Sequence, residues 1–405
     1  MTSKAYTAGT HRARTPEATL QRIAPLMARL GITRVAELTG LDRIGIPVMA
    51  AYRPDARSVA VSLGKGATAA AARVSAAMES IELWHSEHPL LERHWGSADQ
   101  LGANQRLADW RSLPMDGPAF DAATPTAWVG SMSLLDGQPL LVPYEVVHTD
   151  GSVPEPAGSG CFLCTSNGLA SGNDEAEAQV HALCELVERD AVTLWRARQT
   201  GGSTVIARRS VTHAGCRELI ERFEAVGLSV LLHDATTDIG LPVVLCTVLD
   251  EQSDPALQMG MGCHPSRDVA VSRALTEAAQ SRLTLISGAR DDMFRERYAP
   301  TADAADLVLQ FKAWADIAQR PDRAVAIECL PDLATDTLEG DRDLVVALLR
   351  ARGLHPCWVD LGQPGIGVAV GRAVVPGLEP PSDLAAYQPG HRARAALGTG
   401  QRDAA

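Results

Sequence analysis

The sequence predicts one large domain of mixed α/β class, with pseudo-repeated halves and a ligand site between helices. Helical and strand-like patterns alternate along the 405 residues without the regular β-α rhythm of a Rossmann sheet or a barrel. No linker long enough to divide the core interrupts them. In addition, one local pattern occurs three times: a glycine-containing turn followed by a helix with one narrow polar stripe. Repetition of this pattern favours a shared architecture over unrelated domains.

The helices are predicted from apolar residues that recur at helical spacing. The first begins at Thr15, an N-cap residue followed by Pro16, and places Leu20, Ile23 and Met27 on one face. The same criterion predicts long helices near 15–31, 67–88, 174–198, 266–288, 303–319 and 341–352.

The strands are predicted from alternation and from β-branched residues. They lie within 46–63, at 140–142, around a helix within 203–250, between the helices at 303–319 and 341–352, and at 355–360 and 368–374. Residues 96–130 contain several prolines and are predicted to be irregular with one short helix. Residues 376–405 are rich in Pro, Ala, Gly and Arg and are predicted to form a surface tail.

Composition excludes several functional classes. With 46% hydrophobic and 21% charged residues, the chain is typical of a globular protein with a sizeable core. A net charge of −12 and only 4% aromatic residues argue against nucleic acid and anionic membranes as partners. The first residues lack the apolar core of a secretory signal, and no apolar run of about 18 residues predicts a membrane span.

Cysteine usage predicts a cytoplasmic protein with reduced thiols, because eight cysteines are spread thinly through a long chain. Cys161 and Cys164 form a lone CxxC pair, and zinc would require His181 and Cys184 as further ligands. Ordinary cysteines are therefore favoured over a metal or redox site.

The three polar stripes carry the functional prediction. They consist of Ser75, Glu79 and Glu82; of His181, Glu185 and Glu188; and of Arg273, Glu277 and Gln280. The spacing i, i+4, i+7 keeps three side chains within about 60° of one another on a helix. The rest of each helix is largely apolar, where carboxylates are costly to bury unless cations or hydrogen bonds compensate them. The stripes therefore predict one shared polar site.

The chemistry of this site is predicted to be that of a metal-bound triphosphate. Two Glu-x-x-Glu pairs offer enough carboxylates for two Mg²⁺ ions, which also bind nucleotide phosphates. Cations near the stripes would meet the outer phosphate oxygens; they are Lys65, Arg189, Arg273 and Arg282. The glycine-containing turns would bring backbone N–H groups to the ligand.

Simpler interpretations account for each signal taken alone. One Glu-x-x-Glu pair is usually a solvated helix face, but three aligned stripes are harder to explain in this way. Gly64-Lys65-Gly66 lacks the full Walker spacing, and a single His181 would more often be a hydrogen-bonded core residue. Cys263 lacks a convincing base to make it a nucleophile.

Taken in order, the motifs resemble those of the YcaO family, ATP-dependent enzymes that activate a peptide backbone amide. The resemblance extends from about residue 58 to residue 379. It is carried by Ser62-x-Gly64-Lys65-Gly66, Ser75-x3-Glu79-x2-Glu82, Ser166-Asn167-Gly168-Leu169-Ala170-x-Gly172, Glu185-Leu186-Val187-Glu188-Arg189-Asp190, the segment from Arg273 to Arg282, and Pro376-Gly377-Leu378-Glu379.

The resemblance implies a YcaO-type fold with ATP and Mg²⁺ as cofactors. It implies an N-terminal segment (1–57) packed on the core, a YcaO domain (58–380) and a C-terminal tail (381–405). The implied catalytic residues are Glu79, Glu82, Glu185, Glu188 and Arg189, of which the four glutamates would hold Mg²⁺. The implied nucleotide-binding residues are Ser62, Lys65, Ser75, Asn167, His181, Arg189, Arg273, Glu277, Gln280 and Arg282. Leu83 follows Glu82 where many relatives carry Arg.

Family members differ in their nucleophile. Ring-forming members use a Cys, Ser or Thr side chain of the peptide and often end in a Pro-x-Pro-x-Pro tail, which this sequence lacks. Residues 31–48 resemble the subgroup that works beside a TfuA protein and is linked to thioamides.

We therefore expect backbone thioamidation of a peptide or protein, with a TfuA-like protein as sulfur-delivering or activating partner. An azoline-forming cyclodehydratase and a non-catalytic nucleotide-binding scaffold are the alternatives, and a homodimer is left open.

Overall fold

The structure is a computed structural model that describes residues 2–116, 120–198, 204–253, 256–293, 295–298, 304–320, 322–384 and 386–400. Its helices are α1 (Pro16–Met27), α2 (Ala69–Glu87), α3 (Ala98–Gly102), α4 (Glu175–Ala197), α5 (Ala214–Ala225), α6 (Arg267–Ser287), α7 (Ala304–Ala318), α8 (Leu338–Arg350) and α9 (His391–Gly400). Its strands are β1 (Arg34–Glu37), β2 (Val48–Tyr52), β3 (Val61–Lys65), β4 (Arg93–Gly96), β5 (Thr126–Ser133), β6 (Pro139–Pro143), β7 (Leu169–Gly172), β8 (Thr204–Ile206), β9 (Ser229–Asp234), β10 (Val243–Leu249), β11 (Leu257–Cys263), β12 (Cys357–Asp360) and β13 (Ala369–Val374).

The strands form three antiparallel sheets, which confirms the predicted mixed α/β class. The smallest has the order β1-β2-β3, and a second has the order β11-β10-β9-β8. The largest has the order β4-β5-β12-β13-β7, with β6 paired to β5. Helices α2, α4 and α6 pack on β3, β7 and β11, respectively. Each of these helices directly follows the strand on which it packs, so one strand-helix unit is repeated three times.

The three central helices have clear local causes. Thr68 and Asp174 are N-caps whose side chains accept backbone hydrogen bonds from Ala71 and Glu177, at the starts of α2 and α4. Helix α6 ends at Gly288, which adopts the left-handed conformation with φ of 56°. The apolar faces of these helices are buried in clusters that include Ile81, Leu183 and Leu275.

The repeated glycines serve close packing between strand and helix. A Cβ atom at Gly64 would lie 2.0 Å from the backbone nitrogen of Ala76, and one at Gly172 would lie 2.6 Å from that of Ala178. On β11, a Cβ atom at Gly260 would lie 2.2 Å from the Ala274 carbonyl oxygen. The prediction of glycine-containing turns was therefore wrong at these positions, because the glycines lie in strands pressed against helices.

The predicted helices are confirmed, but one predicted strand is not found. Between α7 and α8, the described residues contain no strand, but only isolated bridges from Val325 to Ile206 and from Thr337 to Ser3 and a short 3₁₀ turn at Ile327–Cys329. Strands β1, β4 and β7 were not predicted, because four residues are too few for a clear alternation. Strands β5 and β11 were also missed, and the prediction that residues 96–130 are irregular was wrong from Thr126 onward. Within the described chain, no helix combines the length and the apolar character needed to cross a membrane.

The predicted surface tail is also wrong for the part of it that the structure describes. Residues 391–400 form α9, whose Ala393 and Ala396 are buried against Leu194 of α4. Arg392 makes ion pairs with Asp190 and Asp238 at 2.9 Å and 2.7 Å. The helix docks through two small apolar residues and a strong charge pair, a combination that overall composition does not reveal.

Candidate active site

The three polar stripes meet in one cleft of about 510 Å³ between α2, α4 and α6. The predicted residues that line it are Lys65, Ser75, Glu79, Glu82, His181, Glu185, Glu188, Arg189, Arg273, Glu277 and Gln280. The stripes come from three separate strand-helix units, so only the tertiary fold brings them together. The prediction of a shared polar site is thus met by the geometry.

Three glutamates of the cleft lie in an environment that disfavours their charge. Burial raises the pKa of Glu79 to about 7 and that of Glu82 to about 8. Burial also raises the pKa of Glu188, whose Oε2 atom has no hydrogen-bond partner in the described part of the chain. A divalent cation would remove the electrostatic cost of these carboxylates, so the donor set fits Mg²⁺.

Backbone and side-chain groups hold two of the glutamates in place. Ser171 donates to Oε1 of Glu82 from its amide at 2.8 Å and from its hydroxyl at 2.6 Å. The amide of Gly168 donates to Oε1 of Glu185 at 3.1 Å. Ser171 lies in β7, the strand that precedes α4, and Gly168 lies directly before β7. This segment therefore holds carboxylates from two different helices, α2 and α4.

Glu277 interacts with two cationic side chains that line the cleft. Lys65 forms an ion pair with it, and Nη1 of Arg189 lies 3.9 Å from its Oε1 atom and 3.7 Å from Oε1 of Glu188. Burial acts to raise the pKa of Glu277, but Lys65 and Arg189 outweigh it and the pKa is lowered. Glu277 therefore stays ionised and keeps both cations oriented toward the cleft.

Arg273 and His181, from two different stripes, form a second polar group of the cleft. Nη2 of Arg273 lies 3.4 Å from Nε2 of His181, and Nε of Arg273 is buried without a hydrogen-bond partner among the described residues. Burial, reinforced by Arg273, lowers the pKa of His181 well below its usual range, so the imidazole is neutral. An incompletely paired guanidinium in such a place fits an anionic ligand.

Three predicted nucleotide-binding residues do not line the cleft. Arg282 is buried and binds Asp42 and Asp250, each at 2.9 Å. Ser62 is buried on the face of β3 opposite Leu63 and Lys65, because side chains alternate along a strand. Asn167 lies next to the lining residue Ser166, and its buried Oδ1 atom lacks a partner within the described structure.

Several residues that line the cleft were not predicted from the sequence. Arg290 follows α6 and lines the cleft close to Glu79, whose charge it favours. Tyr6, Arg12 and Arg14 line the cleft from the N-terminal segment. These residues have no helical or strand periodicity and no motif spacing, so no sequence signal pointed to them.

The eight cysteines are free thiols. Cys161 and Cys164 belong to no group of metal-ligating side chains in the part of the chain that the structure describes. Cys263 is buried, and burial raises the pKa of its thiol well above the usual range, which argues against a nucleophile.

Comparison with known proteins identifies the family of the chain. Residues 63–379 match the family model described as YcaO cyclodehydratase, ATP- and Mg²⁺-binding. The chain belongs to the YcaO family. ATP and Mg²⁺ are accordingly its cofactors, in agreement with the carboxylates and cations of the cleft.

Similar proteins cover nearly the whole chain. An uncharacterised protein of Methanothermobacter thermautotrophicus is 36% identical over 376 residues, which are 90% of this chain and 94% of the relative. A protein of Rhizobium leguminosarum bv. trifolii, described as lying in the tfuA 3′ region, is 32% identical over 394 residues, 91% of this chain and 88% of the relative. The structure of YcaO from Methanopyrus kandleri bound with AMPPCP and Mg²⁺ has a TM-score of 0.75 at 26% identity, covering 94% of this chain and 95% of that one.

Proposed function

We propose that this chain catalyses ATP-dependent thioamidation of a peptide or protein backbone in the cytoplasm, with residues 58–380 carrying the reaction. Overall, hydrosulfide, ATP and a backbone amide give a thioamide, ADP and phosphate. Sulfur adds to the amide carbon, the resulting oxyanion takes the γ-phosphoryl group of ATP, and phosphate leaves with the original amide oxygen. Phosphorylation is needed because an amide oxygen is a very poor leaving group.

The observation that carries this proposal is the meeting of two carboxylate pairs, one of them including the fully buried Glu188, with several cations in one cleft. Glu79, Glu82, Glu185 and Glu188 would hold Mg²⁺, which when bound neutralises charge on the transferred phosphoryl group. Lys65, Ser75, His181, Arg189, Arg273, Glu277 and Gln280 would contact or orient the nucleotide. A non-catalytic scaffold is disfavoured, because recruitment alone does not require four glutamates in one cleft, three of which are kept at a cost in burial.

Two observations favour sulfide as the nucleophile. The Rhizobium relative lies in a tfuA 3′ region, and residues 31–48 resemble the TfuA-associated subgroup. In the fold, β1 of this part of the chain pairs with β2, and β2 pairs with β3, which carries Lys65. We therefore propose a TfuA-like protein as the partner that delivers sulfur or activates the enzyme.

The alternative is azoline-forming cyclodehydration, in which a Cys, Ser or Thr side chain of the peptide attacks the amide and water is lost. The description of the matching family model as a cyclodehydratase favours this alternative. Both reactions use the same phosphorylation of the amide oxygen, so the cleft described above serves either one.

The mass of the product distinguishes the two reactions. A candidate peptide encoded beside the gene is incubated with the enzyme, ATP, Mg²⁺, sodium sulfide and the TfuA-like protein, and its intact mass is measured. A gain equal to the difference between sulfur and oxygen supports thioamidation, whereas loss of one water supports the azoline. Omission of sulfide is the control: it should abolish the gain, and a water loss that persists without sulfide would replace the thioamide proposal with the alternative.

A further inference from the structure

A second cavity, of about 860 Å³, lies at the edge of the β11-β10-β9-β8 sheet. Helices α5 and α7 form its two walls, and residues 229–232 of β9 form its floor. It shares no lining residue with the active-site cleft. The reaction proposed above therefore gives this cavity no role.

The cavity exists because β8 is too short to cover β9. Strand β9 has six residues, but β8 pairs only with the last three of them. At Ala207 the chain leaves the sheet: the Ala207 amide donates to the Val325 carbonyl oxygen at 2.7 Å, and a 3₁₀ turn follows at Arg208–Ser210. Within the described chain, residues 229–231 consequently have a partner strand, β10, on one side only.

The backbone of Val230 points into the open position beside β9. The amide of Ala235, just after β9, donates to the Val243 carbonyl oxygen of β10 at 2.9 Å, so the odd-numbered residues of β9 are those that bond to β10. Successive residues of a strand direct their N–H and C=O groups to opposite sides. The N–H and C=O of Val230 therefore face the cavity, where no described residue pairs with them. Val230 is only 5% exposed, so two polar groups of a buried residue lack partners.

The walls of the cavity leave room for one added strand with alternating side chains. Ile220 of α5 lies in the same apolar cluster as Val230, and Phe311 of α7 lies in the same cluster as Leu231. Side chains of a strand alternate between the two faces of a sheet. In an extended peptide placed along 229–231, the residue opposite Val230 would therefore point toward α5, and its two neighbours would point toward α7.

The rim of the cavity carries one arginine that has no carboxylate partner. The charged residues of the rim are Arg208, Arg209, Arg217, Glu221 and Glu224. Arg208 forms an ion pair with Glu224, and Nη2 of Arg217 lies 3.5 Å from Oε1 of Glu221. Arg209 is exposed and forms no ion pair with any described residue. In a chain whose net charge is −12, this free cation beside an open strand edge fits a ligand that brings a carboxylate.

We propose that this cavity is a docking site for an extended segment of another protein that carries an acidic side chain. The segment adds an antiparallel strand in line with β8. Its residue opposite Val230 exchanges two main-chain hydrogen bonds with Val230, and its carboxylate pairs with Arg209. The main-chain bonds supply affinity, whereas the apolar contact and the carboxylate supply specificity. The inference goes beyond the proposed function and does not depend on the reaction in the cleft.

Peptides selected from a phage-displayed random decapeptide library on the immobilised full chain test the inference. The selected sequences are synthesised with acetylated and amidated ends, and their Kd is measured by calorimetry for wild type, Val230→Pro and Arg209→Glu. Val230→Pro removes the N–H group that faces the cavity and spares the bonds to β10. We expect the selected peptides to contain an acidic residue and to bind each variant about tenfold more weakly than wild type.

Two control variants separate the contacts of the docking site from general effects. Val230→Ala keeps the N–H group, and Arg34→Glu reverses an exposed charge on β1, outside the cavity. Both should bind the peptides within about twofold of wild type. Arg209→Glu is an exposed change, so it provides a folded variant if Val230→Pro is unstable, as checked by circular dichroism.

The docking site would be overturned if no peptide is selected, or if the peptides bind folded Val230→Pro and Arg209→Glu with wild-type affinity. Peptides without an acidic residue would overturn the pairing with Arg209. Sedimentation velocity of the full chain tests the other occupant. A concentration-dependent dimer of wild type that Arg209→Glu abolishes would show that a second copy of this chain fills the cavity, which would also overturn the proposal.

Discussion

At the scale of single residues, the cleft holds acidic groups that the metal-free fold tolerates poorly. Glu79 and Glu82, with pKa values of about 7 and 8, are substantially protonated at neutral pH until a cation arrives. Binding of Mg²⁺ should therefore release protons. Such groups are kept at the expense of stability, which is the usual sign of a functional site rather than of a structural ion pair.

We predict that Glu79→Gln or Glu188→Gln abolishes peptide-dependent ADP release and leaves the fold intact. Each ion has only a few protein ligands, so loss of one charged ligand should cost several kcal/mol of transition-state stabilisation. ADP release is measured at saturating Mg²⁺, with circular dichroism as the check on folding.

Glu175→Gln provides the matched control on α4, because Glu175 is exposed at the first turn of the helix and outside the cleft. It should retain wild-type turnover. Near wild-type turnover in Glu79→Gln or Glu188→Gln would exclude that residue from the metal site.

A second prediction concerns Arg282, which the structure places in an ion-pair network instead of the cleft. Arg282→Ala would leave Asp42 and Asp250 buried without their main cation, and removal of one partner from a buried pair typically costs about 3–5 kcal/mol. We expect a clearly lower free energy of unfolding in urea, with the Kd for AMPPCP changed less than about twofold in the folded protein. A large loss of nucleotide affinity at unchanged stability would instead restore Arg282 to the nucleotide site.

At the scale of elements, helix α9 ties the end of the described chain to the helix that carries two metal-binding candidates. Arg392 binds Asp190, which is fully buried and lies two residues after Glu188. Glu379 accepts hydrogen bonds from the amides of Gly390 and Ala393. The C-terminal segment is thus anchored by groups adjacent to the site, although none of its described residues lines the cleft.

We therefore predict that deletion of residues 391–405, or Arg392→Ala, lowers both stability and ATP turnover. Without Arg392, Asp190 is a buried carboxylate with no cation, which should cost about 3–5 kcal/mol and disturb the adjacent turn of α4. The melting temperature and peptide-dependent ADP release are measured together. Arg394→Ala, an exposed change on the same helix, should leave both unchanged. A deletion variant with wild-type stability and turnover would show that α9 is dispensable.

The elements also show what sequence patterns can and cannot reveal. Helices α2, α4 and α6 are long and periodic, so their extents were predictable to within a few residues. Glycines that precede a helix fit a turn or a close strand-helix contact equally well, and only the fold showed that Gly64 and Gly172 serve contact. Helix α9 was missed because its docking depends on Ala393, Ala396 and the ion pairs of Arg392, which carry almost no hydrophobic signal.

At the scale of the whole molecule, the site depends on contacts between segments that are far apart in sequence. Each polar stripe could be predicted from residue spacing alone, because its three residues lie on one helix. Arg12 and Arg290 could not be found in this way, since their approach to the cleft follows from the path of the N-terminal segment and of the chain after α6. Arg282 was wrongly predicted to bind the nucleotide for the same reason. Its ion-pair partners Asp42 and Asp250 lie on other segments of the chain, and residue spacing does not reveal them.

The last prediction concerns the pH dependence of global stability. Burial lowers the pKa of His148 and of His233 to about 4, from an ordinary value near 6.5. Between these two values the unfolded chain binds more protons than the folded one, so stability is full above pH 6.5 and falls as the pH drops toward 4. His233 is fully buried against Trp195 and Trp314, and Nε2 lies 3.2 Å from the Thr247 hydroxyl. For one such histidine the loss between pH 7 and pH 5 is about 2 kcal/mol.

His233→Gln should remove this part of the slope, because glutamine fills much of the same space and does not titrate. Urea unfolding at pH 7 and at pH 5, with EDTA present, measures the effect as a difference between variant and wild type. The comparison is needed because Glu79 and Glu82, whose pKa values are raised, change stability in the opposite direction over the same range. The exposed His355→Gln is the control and should keep the wild-type slope. If His233→Gln loses as much stability as wild type between pH 7 and pH 5, then burial of His233 does not contribute to the acid sensitivity of the fold.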